Sequence, residues 1–232
     1  MVDEVRKTGR GNRVWIEILK FLAVLTPINL IMVFAGEAIK AALFQKSVIN
    51  EEISMIIQLY ECALGIGLVV LYCCCIEKRT FMSMGFMKRH VCKQYIKGAC
   101  VGAMLISALV WMGVLFNTFI FNGFNVNLDK KSIFLFLGGF LLQGFYEELV
   151  FRGFFMISIN QKKLPYFVAV MVNSILFGLT HGFNNGFQVL ALLNLILFGI
   201  FESIYLLKTG NIWGISAIHS MWNFIQGNIY GF

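Results

Sequence analysis

Residues 99–128, ACVGAMLISALVWMGVLFNTFIFNGFNVNL, run for thirty positions without an acid or a base. At a helical rise of about 1.5 Å per residue, such a run exceeds the roughly 30 Å hydrocarbon thickness of a bilayer. Residues 164–201 contain no side chain chargeable near neutral pH except His181. The whole 232-residue chain follows suit, being 59% hydrophobic and 13% charged, with a mean hydropathy of +0.78. A soluble domain is about a quarter charged, and a larger core cannot absorb the excess, because a chain this size still needs a polar surface. The sequence therefore specifies a polytopic membrane protein. Soluble, disordered and nucleic-acid-binding classes are excluded, and the net charge of +7 has to be explained by topology.

Seven apolar segments emerge, at 14–35, 53–75, 99–121, 132–157, 165–182, 187–207 and 211–230. With the N-terminus inside, thirteen Lys and Arg residues fall in inner loops and four (Lys40, Lys46, Lys130 and Lys131) in outer ones. Lys20 and Arg152 lie within segments. Basic residues concentrate on the cytoplasmic side, so the count predicts a multi-pass protein of the cell membrane with the N-terminus cytoplasmic and the C-terminus outside. The first segment has a basic approach, but its apolar stretch passes 20 residues without a small-x-small cleavage site, so it is expected to be retained. The expected organisation is a single domain over 1–232. It comprises a basic N-terminus at 1–13, a basic amphipathic cytoplasmic connection at 76–98 (IEKRTFMSMGFMKRHVCKQYIKG), and motif-bearing helices at 132–230. The six cysteines lie in or beside segments two and three, lack a C-x-x-C pair and imply no disulfide framework.

Ionisable groups inside a bilayer are functional suspects by default. Glu17 and Lys20 sit three apart and predict a mutual pair, while Glu61 and Glu202 read as isolated helix-contact residues. Segment four is different. Its GFYEELVFRGFF places Glu147, Glu148 and Arg152 within six residues. Glu148 and Arg152 are four apart and share a helical face, which suits an ion pair, whereas Glu147 points about 100° away. A carboxylate in an apolar, partly wet site suits a general base, although a buried charge cluster that fixes helix packing has the same pattern. Segment five ends SILFGLTHG, with His181, and segment seven contains AIHSMWNF, with His219 and Asn223 four apart. A bundle turns polar sets on three helices inward. Acids, histidines and an amide can activate water and stabilise an oxyanion, or hold zinc. The H-E-x-x-H signature is absent from the sequence.

EELVFRG (147–153), SILFGLTH (174–181) and HSMWN (219–223), in this order on three membrane segments, resemble the three motifs of the CPBP family. These are the CAAX-protease and bacteriocin-processing intramembrane endopeptidases, also called Abi proteins. The resemblance covers about the last 90 residues. It implies that Glu147 activates the attacking water with help from His181, that Arg152 holds Glu148, and that His219 and Asn223 stabilise the oxyanion. The family has been described both as metal-dependent and as glutamate-type. The expectation is no cofactor; if a zinc-like divalent metal is used, Glu147, His181, His219 and Asn223 are its candidate ligands. Relatives often have eight segments against seven here.

The fold expected is an all-α transmembrane bundle of about seven helices with a polar cavity among segments four, five and seven. The expected function is hydrolysis of a peptide bond in a peptide or membrane-tethered precursor. The alternatives are a non-catalytic bacteriocin-immunity or regulatory protein of the same family, and a transporter relaying protons through Glu147 and Glu148. The expected partners are such a substrate and the lipid bilayer, with no nucleic acid. Lys outnumbers Arg thirteen to six and Asn, Ile and Phe abound, as in an AT-rich bacterial genome. In that setting a bacteriocin, pheromone precursor or signal-peptide remnant fits better than a prenylated CAAX substrate. One geometric tension stands out. Glu147 and His219 fall roughly 10–15 Å from the inner ends of their helices, but His181 lies roughly 25 Å along segment five. Segment five must therefore start low, tilt, or fail to span.

Overall fold

The computed structural model describes residues 13–44, 49–120, 123, 129–160, 164–183 and 188–231; the basic residues expected at 1–12, Lys46, Lys162 and Lys163 lie outside these. The described residues form seven helical segments and no strand. They are α1 (Val14–Phe44), α2 (Glu51–Ile76), α3 (Val91–Leu115), α4 (Lys130–Asn160), α5 (Tyr166–Thr180), α6 (Val189–Thr209) and α7 (Ile212–Phe224). A further π turn, Ile225–Ile229, extends α7. Helices α1, α2, α3, α4 and α6 are each long and apolar enough to cross a membrane. The all-helical transmembrane bundle expected from hydropathy is the fold observed.

Local chemistry sets the ends. Asn50, Asp129 and Asn211 accept backbone N–H bonds from the first turns of α2, α4 and α7, as N-caps do. Pro165 precedes α5. Gly210 closes α6 at φ +66°, a left-handed conformation that only glycine adopts without strain. Helix α5 has 15 residues, about 22 Å of rise, and so is shorter than the hydrocarbon layer. The sequence tension over His181 resolves here: the histidine lies where a short helix stops, not at the far end of a full span.

Helices α4 and α7 form the centre. All eight residues of Leu149–Met156 in α4 are buried, as are Ile215–Ser220 of α7 apart from small exposures. On α1, by contrast, Leu30, Val33 and Phe34 point outward while Phe21 and Ile28 face in. Apolar side chains are equally at home against lipid, so close packing is what fixes the helices relative to one another. Glycines provide it. A Cβ on Gly98 or Gly102 of α3 would lie 2.2 or 2.3 Å from a carbonyl oxygen of α7, and one on Gly144 of α4 would lie 2.7 Å from the Ser220 nitrogen. Helix α7 is thereby clasped between two neighbours at the level of His219.

The Glu17–Lys20 pair is present at 2.5 Å and is part of a longer chain: Lys20 also meets Glu77 at 2.6 Å, and Glu77 meets Arg79 at 2.5 Å. The connection after α2 differs from the surface-lying segment expected at 76–98. Residues 91–98 belong to α3, and Arg79, Ser83 and Met84 are buried. Gly85 accepts from the Ile212 nitrogen at 2.9 Å, docking the connection onto the start of α7. The physical reason lies in α4, whose widened turn offers Arg79 buried carbonyl oxygens on Gly153 and Phe154 at 3.4 and 3.2 Å. Among the described cysteines all are free.

Candidate active site

Helix α4 widens into a π turn, Leu149–Met156, immediately after Glu148. Such turns recur at functional sites, because the extra residue re-aims the side chains around it. Arg152 sits inside this turn, fully buried, and its Nη1 donates to Glu148 Oε1 at 2.8 Å. Its Nη2 lies 2.9 Å from Glu202 Oε2 of α6, and its guanidinium stacks 4.4 Å over the ring of Phe177 on α5. One cation thus ties four helices together, because Glu148 also accepts from His219 Nδ1 of α7 at 2.8 Å.

The tautomers follow from the partners. A carboxylate accepts hydrogen bonds, so His219 Nδ1 carries a hydrogen, and in the neutral form of the ring Nε2 presents a lone pair. His181 Nδ1 lies 2.8 Å from the Phe177 carbonyl, which likewise only accepts, so its Nε2 also presents a lone pair. Both Nε2 atoms face one oxygen. Glu147 Oε2 is 3.6 Å from His219 Nε2 and 3.7 Å from His181 Nε2, and is buried without a hydrogen-bond partner among the described residues. Acceptors facing one another at this separation need a donor or a cation between them, and a water molecule is the simplest donor. The other oxygen of Glu147 is held by the Gln143 side-chain amide one turn earlier, and Gln143 Oε1 accepts from Asn223 Nδ2 at 3.0 Å. The second amide hydrogen of Asn223 remains available to the cavity.

That cavity has a volume of about 680 Å³. His181, His219, Gln143 and Asn223 line it among aromatic walls that include Phe140, Phe198 and Trp222. The six residues singled out in the sequence therefore converge: Glu147 with His181 and His219, Glu148 with Arg152 and His219, and Asn223 through Gln143. Sequence reasoning missed two members. Gln143 was detectable as the i−4 neighbour of Glu147. Glu202 was noted, but its partner lies fifty positions away in the chain, beyond any helical periodicity.

Two donor sets can be weighed for a metal. Ligand atoms of Glu148, Glu202 and His219 lie within 4.8 Å of one another. That set already holds Arg152 on both carboxylates, and a further cation does not fit. The set around Glu147 Oε2 and the two Nε2 atoms has the carboxylate and imidazole chemistry that zinc takes, and its lone pairs face inward.

Residues 129–225 match the family model described as type II CAAX prenyl endopeptidase, Rce1-like. The match covers 97 of the 232 residues, so the likeness belongs to this segment. It runs from the cap of α4 into the turn that extends α7, and it contains every residue of the site just described. No curated protein and no solved structure gives a significant match. The matched segment coincides with the central α4–α7 core and its partners α5 and α6, while α1–α3 lie outside the match.

Proposed function

We propose that the chain is an intramembrane endopeptidase in which Glu147 and the two imidazoles activate a water molecule against a peptide bond. The observation that carries this reading is the convergence of buried Glu147 Oε2 with the Nε2 atoms of His181 and His219, two histidines that line the cavity. A water held there donates one hydrogen to Glu147 and turns an oxygen lone pair toward the cavity. As it attacks the carbonyl carbon, its proton passes to Glu147, which then delivers it to the leaving amine. Gln143 fixes Glu147 by its other oxygen, so the proton is taken at Oε2. Asn223 Nδ2 is the donor available to the developing oxyanion, while Glu148 behind His219 holds that ring with Nε2 turned toward the water. Were a divalent ion bound, Glu147, His181, His219 and Asn223 would hold it, and it would polarise the carbonyl and acidify the bound water.

The substrate class is a peptide or membrane-tethered precursor that fits an aromatic-walled cavity, such as a bacteriocin, pheromone precursor or signal-peptide remnant. The non-catalytic alternative, an immunity or regulatory protein, predicts the same fold but no turnover. A cleavage assay of the detergent-purified chain against a peptide library, with Glu147→Ala beside the wild type, decides between them. Cleavage lost in the variant supports the peptidase; equal activity, or none in either, favours the alternative.

A further inference from the structure

We propose that Glu202 is a positioning residue for this site: acting through Arg152, it fixes the orientation of Glu148 and hence of the His219 ring. The inference rests on the hydrolytic reading above. Glu202 is fully buried on α6, in a layer where an acid is expensive to place. Its neighbour Ser203 shows what a plain helix contact looks like here, accepting from Asn173 at 3.2 Å and donating to the Gly199 carbonyl at 2.7 Å. Glu202 turns instead toward the reacting groups. Its Oε2 is 2.9 Å from Arg152 Nη2, and its Oε1 is 3.9 Å from His219 Nδ1.

The geometry explains how one carboxylate can act at a distance. A guanidinium is planar, and two partners on its two terminal nitrogens fix the plane, whereas one partner leaves it free to turn. Nη1 donates to Glu148, Nη2 is in ion-pair contact with Glu202, and the guanidinium carbon lies 4.4 Å over the Phe177 ring. Glu148 Oε1 accepts from both Arg152 Nη1 and His219 Nδ1, so the arginine plane sets where that oxygen lies and therefore how His219 presents Nε2 to Glu147. Phe177 in turn supplies the carbonyl that holds His181. Without Glu202 the arginine plane is released, and both imidazoles lose their register against Glu147. Groups that orient reacting groups in this way typically change activity by about 10- to 100-fold.

The test uses the full chain in detergent. Glu202→Gln should lower kcat by about 10- to 100-fold with KM within about threefold, and add no defect in an Arg152→Gln background. Glu61→Gln removes a buried acid of α2 packed against Gly36 and should leave kcat unchanged. Ring-nitrogen NMR of ¹⁵N-histidine protein, with the His219 signals assigned by their loss in His219→Asn, provides a readout independent of turnover. Glu202→Gln should shift the His219 signals away from the wild-type Nδ1–H pattern, and Glu61→Gln should not. An unchanged kcat, a defect that adds fully to Arg152→Gln, or unchanged His219 signals would overturn the proposal. Should Glu202→Gln not fold, Glu202→Asp takes its place, since it keeps the charge but withdraws it by one methylene; a kcat drop at unchanged melting temperature supports positioning, and wild-type kcat overturns it. If the wild type cleaves no peptide, the hydrolytic reading fails on its own, and the His219 signals alone decide the role of Glu202.

Discussion

The two adjacent glutamates should separate under an isosteric substitution. Glu148→Gln removes the charge that accepts from Arg152 Nη1 and His219 Nδ1, both at 2.8 Å, in a pocket closed to solvent. Stranding one partner of a buried pair costs about 3–5 kcal/mol. Arg152 is not fully stranded, because Glu202 stays 2.9 Å from its other nitrogen, and the glutamine oxygen can still accept. The remaining loss is on the order of one hydrogen bond to a charged group, about 2–3 kcal/mol. Glu147→Gln leaves an amide oxygen for Gln143 and a side chain that is 17% exposed, so its effect should stay within about 1 kcal/mol. For a chain of this size, these figures translate to about 4–12 °C against at most about 4 °C in melting temperature. The assay is built into the molecule. With the exposed thiols of Cys75, Cys92 and Cys100 blocked by a membrane-permeant maleimide, buried Cys62 and Cys73 become reactive to a fluorogenic thiol probe as the bundle opens. Glu147→Gln should be inactive yet melt near the wild type. If it melts below Glu148→Gln, the assignment of base to one residue and anchor to the other is wrong.

Asn223→Ala should lower kcat by about 100-fold or more with little change in KM if the amide serves the oxyanion, and a chelator should then leave the wild type active. Full inactivation by chelator, reversed by zinc or cobalt, would instead make Glu147, His181, His219 and Asn223 the ligand set. Gly102→Ala puts a methyl group 2.3 Å from the Ile218 carbonyl oxygen and should destabilise the chain by about 1–3 kcal/mol while displacing His219; unchanged melting and turnover would show that α7 is not held by this contact. In a cysteine-free background, a cysteine at exposed Lys88 should resist an impermeant label in intact cells while one at Gly231 reacts, and the reverse result would invert the orientation.

Hydropathy located all seven helices because an apolar run is a direct record of the solvent around it. It misjudged ends where helices continue past the apolar run: α1 extends to Phe44 through Glu37 and Lys40, and α3 begins at Val91 with Lys93 and Lys97 in its first turns. Contacts one turn apart were also legible, which is why Glu148 with Arg152 could be paired from spacing alone. Contacts between helices were not. Nothing local joins Glu202 to Arg152, Arg79 to the Gly153 carbonyl, or Tyr146 to Asn29, whose side chains meet at 2.9 Å across α4 and α1. The π turn escaped for a related reason. LVFRGFFM is an ordinary apolar helical sequence, and the extra residue per turn is stabilised by partners that approach from elsewhere in the chain.

The shortness of α5 bears on supply. A peptidase in a bilayer consumes one water molecule per turnover, and hydrocarbon is a poor source of it. Helix α5 falls about 8 Å short of the layer's thickness, and lipid beside a short span thins to match it. His181 sits where that helix ends, so on the hydrolytic reading thinning there would draw the polar surface toward the histidine and shorten the water's path to Glu147. On the hydrolytic reading proposed above, extending α5 by two helical turns beyond His181 should slow turnover by cutting the site off from its water.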